Sequence, residues 1–140
     1  MLGTLEGLSV LDLFAGSGAL GIEAASRGAE SVAFVDSDPR AVAAIRQNLA
    51  DVGLDAPVTR GDALDYLRGR HGRFDLIFVD PPYSCVPRLA APLAERLPAA
   101  MTGAARIVTE SDRRHPLELP MPLVRERRYG DTRIAIHRVP

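Results

Sequence analysis

A chain of 140 residues, 46% hydrophobic and 25% charged, has the balance of one globular domain and is long enough to bury a core without disulfide or metal staples. A formal charge of -1 excludes a uniformly basic nucleic-acid clamp, and a lone cysteine, Cys85, excludes an internal disulfide and suits a cytoplasmic setting. All 17 basic residues are arginine, which excludes any mechanism built on a lysine, such as Schiff-base chemistry or the Walker-type phosphate lysine.

No apolar run reaches the ~18–20 residues of a membrane helix, and no basic segment precedes an apolar stretch as in a secretory leader. The expectation is a cytoplasmic, monomeric protein with no membrane partner. Charge is unevenly spread: 9 arginines against 13 acids up to residue 100, then 8 against 5. The C-terminal part is therefore the side better suited to an anionic partner.

Strand and helix signals alternate along the chain. Residues 8–14 form a short apolar strand that runs into a glycine-rich turn, and residues 19–27 a helix stopped by Gly28. A second strand covers 31–36. Ser37 and Asp38 then offer a cap before Pro39, and Val42, Ile45, Leu49 and Val52 recur at helical spacing up to Gly53. A short third strand at 58–60, a short helix at 62–70 and a central strand at 74–79 follow. Residues 88–97 are helical in composition although Pro92 lies among them, and 105–110 is a fifth strand. The proline-rich stretch 115–122 reads as a loop. Residues 123–129 and 132–139, joined at Gly130-Asp131, read as a hairpin. Five strands alternating with helices and closed by a hairpin predict a doubly wound α/β fold: a mostly parallel, seven-stranded sheet with a C-terminal antiparallel hairpin, in a single domain spanning 1–140. Ligands of such sheets bind at the carboxyl ends of the strands.

The polar motifs fall at those ends. Gly16-Ser17-Gly18-Ala19-Leu20-Gly21 follows a strand and opens a helix. Gly16 and Gly18 suit a tight turn and close approach of backbone to a ligand, and Gly21 suits close helix–strand packing. By itself this turn fits a dinucleotide, a nucleoside sulfonium or no ligand at all. Asp36, 20 residues beyond Gly16 at the end of the second strand, is placed to accept from ribose hydroxyls. Asp12 ends the first strand; it suits a bound amino-acid ammonium, which S-adenosylmethionine carries and a dinucleotide lacks, and it also suits the glycine-loop amides. Asp62 follows the third strand, as an acceptor for an adenine amino group, as a helix cap, or as both.

Asp80-Pro81-Pro82-Tyr83 ends the fourth strand. Consecutive prolines hold an extended turn with few backbone donors. The Asp80 carboxylate and the Pro81 carbonyl can accept from one exocyclic amine. Conjugation makes such an amine a poor nucleophile, and two acceptors favour its pyramidalisation toward an electrophile. Tyr83 offers an aromatic face to an extruded base.

Together these residues resemble the class I S-adenosylmethionine-dependent methyltransferases that act on amines. More narrowly, the stretch 11–24, LDLFAGSGALGIEA, with Ser26-Arg27-Gly28-Ala29, Phe78-Val79-Asp80-Pro81-Pro82-Tyr83 and Tyr129-Gly130-Asp131-Thr132, resembles the bacterial 16S rRNA guanine-N2 methyltransferases. The resemblance implies a Rossmann-like methyltransferase fold. It also implies methyl transfer from S-adenosylmethionine to the N2 amine of a guanine in 16S rRNA or the small ribosomal subunit, leaving S-adenosylhomocysteine. Carried over by position, Asp80, Pro81, Pro82 and Tyr83 would hold the target base. Asp12, Phe14, Ala15, Gly16, Ser17 and Gly18 would hold the cofactor, together with Asp36, Ser37, Asp62, Ala63 and Asp80. The transfer is an in-line displacement that calls for neither metal nor covalent enzyme intermediate. Members of that family carry an N-terminal hairpin and helix before the first strand, whereas here Met1 to Gly7 precede it, so the domain is expected without that extension. Adenine N6 in DNA or RNA is the alternative acceptor, because the same corner serves that amine.

Other reactive residues are assigned no chemistry. Cys85 lacks the neighbouring proline of cytosine-C5 nucleophiles, and His71, His115 and His137 lack metal-ligand spacing. Arg125-Glu126-Arg127-Arg128 marks an exposed edge strand, with a secondary RNA contact, shared with Arg133, as its other reading.

Overall fold

The structure, a computed structural model, describes residues 4–140. The elements are β1 (Ser9–Asp12), α1 (Ala19–Ser26), β2 (Ser31–Asp36), α2 (Pro39–Val52), β3 (Val58–Arg60), α3 (Ala63–Arg68) and β4 (Phe74–Val79). After a 3-10 turn at Tyr83–Cys85 come α4 (Val86–Arg96), β5 (Met101–Asp112), β6 (Leu123–Tyr129) and β7 (Thr132–Arg138). All seven strands join one sheet in the order β3-β2-β1-β4-β5-β7-β6. β1 to β5 are mutually parallel, and β7 runs antiparallel to both of its neighbours. The chain reverses outward on either side of the β1–β4 pair, which leaves a crevice at the carboxyl ends of those strands.

Alternation along the strands builds two cores. Val10, Phe34, Leu76 and Phe78 point to one face and pack beneath α1 and α2 with Ala24, Ile45 and Leu49. Leu11, Val35, Ile77 and Val79 point to the other and pack against Leu67 of α3, Leu93 of α4 and Leu117 of the 113–122 loop. The central strands are apolar on both faces because helices cover both.

Local signals set the boundaries. Asp38 caps α2 by accepting from the Arg40 amide at 2.9 Å, Pro39 occupies the first turn, and Gly53 ends the helix with φ 73°. Val52, expected on the inner stripe of α2, is 56% exposed: it is the last residue of the helix, where residues 50–53 are all exposed. β5 is longer than the predicted 105–110 segment. It gains Met101 through pairing with Phe74, and Ser111 and Asp112 through pairing with β7, so tertiary partners lengthen it beyond its own apolar pattern. α4 starts at Val86, two residues before the predicted start, and keeps Pro92 inside. Residues 113–122 are a loop between β5 and β6, as the prolines require. No helix among the described residues is long and apolar enough to cross a membrane.

Candidate active site

The crevice is a cleft of about 740 Å³, within the range of small-molecule sites. Four strand ends meet there. The turn after β1 supplies Phe14, Ala15, Gly16 and Ser17, the end of β2 supplies Asp36 and Ser37, and the turn after β3 supplies Gly61, Asp62 and Ala63. The end of β4 supplies Asp80, Pro81, Pro82 and Tyr83.

The glycine turn is held from below. Gly16 has φ 58°, and a Cβ there would meet nothing within 4 Å, so its backbone faces open cleft. Its amide donates to Asp36 Oδ2 at 2.9 Å, and the other Asp36 oxygen accepts from the Asp38 amide at 2.9 Å. Each carboxylate oxygen keeps a free lone pair, so Asp36 can still accept from a diol in the cleft. Asp62 caps α3 by accepting from the Asp65 amide at 3.1 Å and also lines the cleft, so its cap position and its place on the wall coexist.

Two of the candidate residues lie behind the wall rather than on it. Asp12 is buried, and its Oδ2 accepts from the Gly21 amide at 3.0 Å. It fixes the start of α1 and its charge reaches the cleft only through space. Burial, together with the charges of Asp80 and Asp36, pushes its carboxyl up to about 7 despite the opposing Gly21 hydrogen bond. Gly18 caps α1 with φ 82° and packs inward, where a Cβ would press on Ile45 and Phe34 at 3.3 Å. Gly21 packs so closely that a Cβ would collide with the Phe34 ring and Val32.

At the corner, Pro81 is buried, Pro82 exposed, and Tyr83 is 57% exposed. Asp80 opens to the cleft. Desolvation by its walls and repulsion from Glu110 raise its carboxyl to about 6. The Tyr83 ring stacks on His115 from the 113–122 loop, with centroids 5.4 Å apart and planes 13° from parallel. Tyr83 lines the cleft and His115 does not, so the stack anchors the ring from the side of the 113–122 loop.

The sequence pattern missed several lining residues. Glu110 lies two residues before the end of β5 and lines the cleft beside Asp80; its position at the carboxyl end of the predicted 105–110 strand was the signal for it. Leu20, Leu89 and Cys85 also line the cleft; Cys85, two residues after Tyr83, ends the 3-10 turn before α4, and no pattern marked the two leucines. Arg133 is removed from any RNA-facing set: it is buried, and donates to Leu117 O at 3.0 Å and to Glu126 Oε2 at 3.1 Å.

A glycine turn on β1, an acid ending β2 and an Asp-Pro-Pro-Tyr corner on β4, in a sheet of this strand order, define the class I methyltransferase fold. Comparison with known proteins narrows the class. The family model described as Conserved hypothetical protein 95 matches residues 1–138, and the chain belongs to that family. YlbH of Bacillus subtilis (strain 168), named as a candidate rRNA methyltransferase, is 38% identical over 147 residues, covering 91% of this chain and 74% of that protein. Ribosomal RNA small subunit methyltransferase D of Escherichia coli (strain K12) is 38% identical over 74 residues, but the match covers 52% of this chain and only 37% of that protein. Among solved structures, a conserved hypothetical protein of Streptococcus pyogenes superposes with a TM-score of 0.82 at 30% identity, covering 98% of this chain and 89% of that one.

Proposed function

We propose that this protein transfers a methyl group from S-adenosylmethionine to the exocyclic N2 amine of a guanine in 16S rRNA. The observation that carries the proposal is the presence of the Asp80-Pro81-Pro82-Tyr83 corner in the same cleft as the glycine turn and Asp36. The relatedness to small-subunit rRNA methyltransferase D and to YlbH supports the choice of RNA.

The cleft fits S-adenosylmethionine on three counts. Its volume suits a nucleoside-sized molecule, the open face of Gly16 admits close approach, and its acids suit a cation that also bears a ribose and an amino group. Asp36 would accept from the ribose hydroxyls, Asp62 and the Ala63 turn would flank the base, and Phe14 to Ser17 would lie along the molecule, with Ser37 at the ribose edge. Asp12 and Gly18 would act from behind by fixing the turn. When bound, S-adenosylmethionine supplies an electrophilic sulfonium methyl.

The protein's own part is to prepare the amine. Asp80 and the Pro81 carbonyl each accept one N–H, which draws the nitrogen lone pair out of conjugation and orients it. Tyr83 stacks on the purine while Pro82 keeps the turn extended. Asp80 acts as an acceptor and positioner, and the proton made acidic by methylation leaves to solvent.

The test is methyl transfer from labelled S-adenosylmethionine to small ribosomal subunits that lack the modification, followed by nucleoside analysis. N2-methylguanosine is the expected product. N6-methyladenosine would move the assignment to the alternative amine, and no transfer alongside tight S-adenosylmethionine binding would remove the rRNA substrate.

A further inference from the structure

A second carboxylate faces the opening in which the target amine would sit. β4 and β5 run parallel, with Phe78 beside Val108 and Val79 beside Thr109. One residue further along come Asp80 and Glu110, on adjacent chains about 4.8 Å apart. Val79 and Thr109 are buried on one face of the sheet, so the next pair turns to the other face, where Leu20 from α1 completes the wall. Asp80 and Glu110 line both the large cleft and a smaller cavity of about 240 Å³ beside it. The Glu110 side chain has no hydrogen-bond or ion-pair partner among the described residues, and its charge acts on Asp80. Arg27 also lines the smaller cavity, where it pairs with Glu23 at 2.9 Å; two neighbouring acceptors without an ion-pair partner suit a ligand that presents two neighbouring donors.

Purines differ on this point. The Watson–Crick edge of guanine carries N1–H next to the N2 amine, two donors side by side. That of adenine carries the N6 amine next to a bare N1, a donor beside an acceptor. We propose that Glu110 accepts the N1–H of the target guanine while Asp80 and Pro81 hold its N2 amine, so that Glu110 selects guanine over adenine. Adenine placed with its amine at Asp80 turns the N1 lone pair toward the Glu110 carboxylate and is repelled. This deepens the function proposed above and rests on it for the identity of the acceptor.

The experiment compares wild type with Glu110→Ala, Glu110→Gln and Glu110→Asp, the full chain kept saturated with S-adenosylhomocysteine so that nucleosides reach only the acceptor side. Affinities for guanosine, 1-methylguanosine (which lacks N1–H) and adenosine are read by saturation-transfer NMR, and folding of each variant by thermal melting. Wild type is expected to prefer guanosine by tenfold or more over both analogues, as a well-placed bidentate contact does. Glu110→Ala should erase the preference with unchanged S-adenosylhomocysteine affinity, and Glu110→Gln, whose amide oxygen still accepts, should retain part of it. If Glu110→Ala does not fold, the test passes to Glu110→Asp, whose shorter carboxylate should cut the preference severalfold. No preference in wild type, or an undiminished one in the folded variants, overturns the proposal. Guanosine selection that depends on Glu110, in a protein that methylates no rRNA, would sustain the role of Glu110 and remove the rRNA reading instead.

Discussion

Two carboxyl groups held above their ordinary range dominate the site at the scale of single residues. Asp80, near 6, is ionised at neutral pH and accepts from the amine; below pH 6 it takes up a proton and loses that capacity. The rate of methyl transfer should therefore fall as pH drops through about 6, read from a pH profile at saturating S-adenosylmethionine. Asp80→Ala should lower turnover by about a hundredfold or more, with S-adenosylmethionine affinity held within a few-fold; equal turnover would remove the residue from the mechanism. Asp12 answers to a different demand. Its carboxyl, near 7 in the folded protein and near 4 when unfolded, binds a proton more tightly in the native state. The stability it contributes is full below pH 4 and is lost as pH rises through 7. Asp12→Asn keeps an acceptor for the Gly21 amide and carries no charge. It should raise the melting temperature at pH 8 but not at pH 4, while weakening the binding of the cationic S-adenosylmethionine more than that of S-adenosylhomocysteine. An unchanged melting temperature at pH 8 would show that the ionised carboxylate costs the fold nothing.

At the scale of elements, the turn between β1 and α1 depends on contacts that a sequence pattern reads only in part. Gly21 was legible as a packing glycine because it is the third glycine of a pattern that follows a strand and opens a helix, and the structure shows the Phe34 ring where a side chain would go. Gly21→Ala must push that buried ring or lift the helix, and should cost about 1–3 kcal/mol of stability, measured by denaturant unfolding. It should also weaken S-adenosylmethionine binding, because the Asp12 to Gly21 hydrogen bond sets the turn. The parallel core and the hairpin were legible because apolar alternation and turn chemistry are local. The length of β5 was not, since its outer residues are strand only through their partners in β4 and β7. Nor could local patterns show that Asp12 points behind the loop, that His115 backs Tyr83, or that Glu110 stands beside Asp80. Each depends on which strands are neighbours and on which face a side chain emerges.

For the whole molecule, charge is the property that bears on a nucleic-acid partner. A net charge of -1 offers little general attraction to phosphate, and the arginine-rich C-terminal part carries most of what there is. β6 is an exposed edge strand whose Arg128 pairs with Glu126, whereas Arg125 and Arg127 have no acid partner among the described residues. If they meet phosphate, Arg125→Ala and Arg127→Ala should each reduce the salt dependence of RNA binding by about one phosphate contact, without altering the product; an unchanged slope would confine them to guarding the sheet edge. The fold class and most of the cleft wall were readable because ligand sites of doubly wound sheets collect at strand ends. The way these ends converge on one cavity is a property of the strand order.

The most direct measurement is a crystal structure of the protein with S-adenosylhomocysteine. The ribose is expected at Asp36, the homocysteine along Phe14 to Ser17, and the sulfur turned toward Asp80 and Pro81 with room beside Tyr83 and Glu110 for a purine. A ligand bound elsewhere, or with its sulfur directed away from the Asp80 corner, would contradict this arrangement.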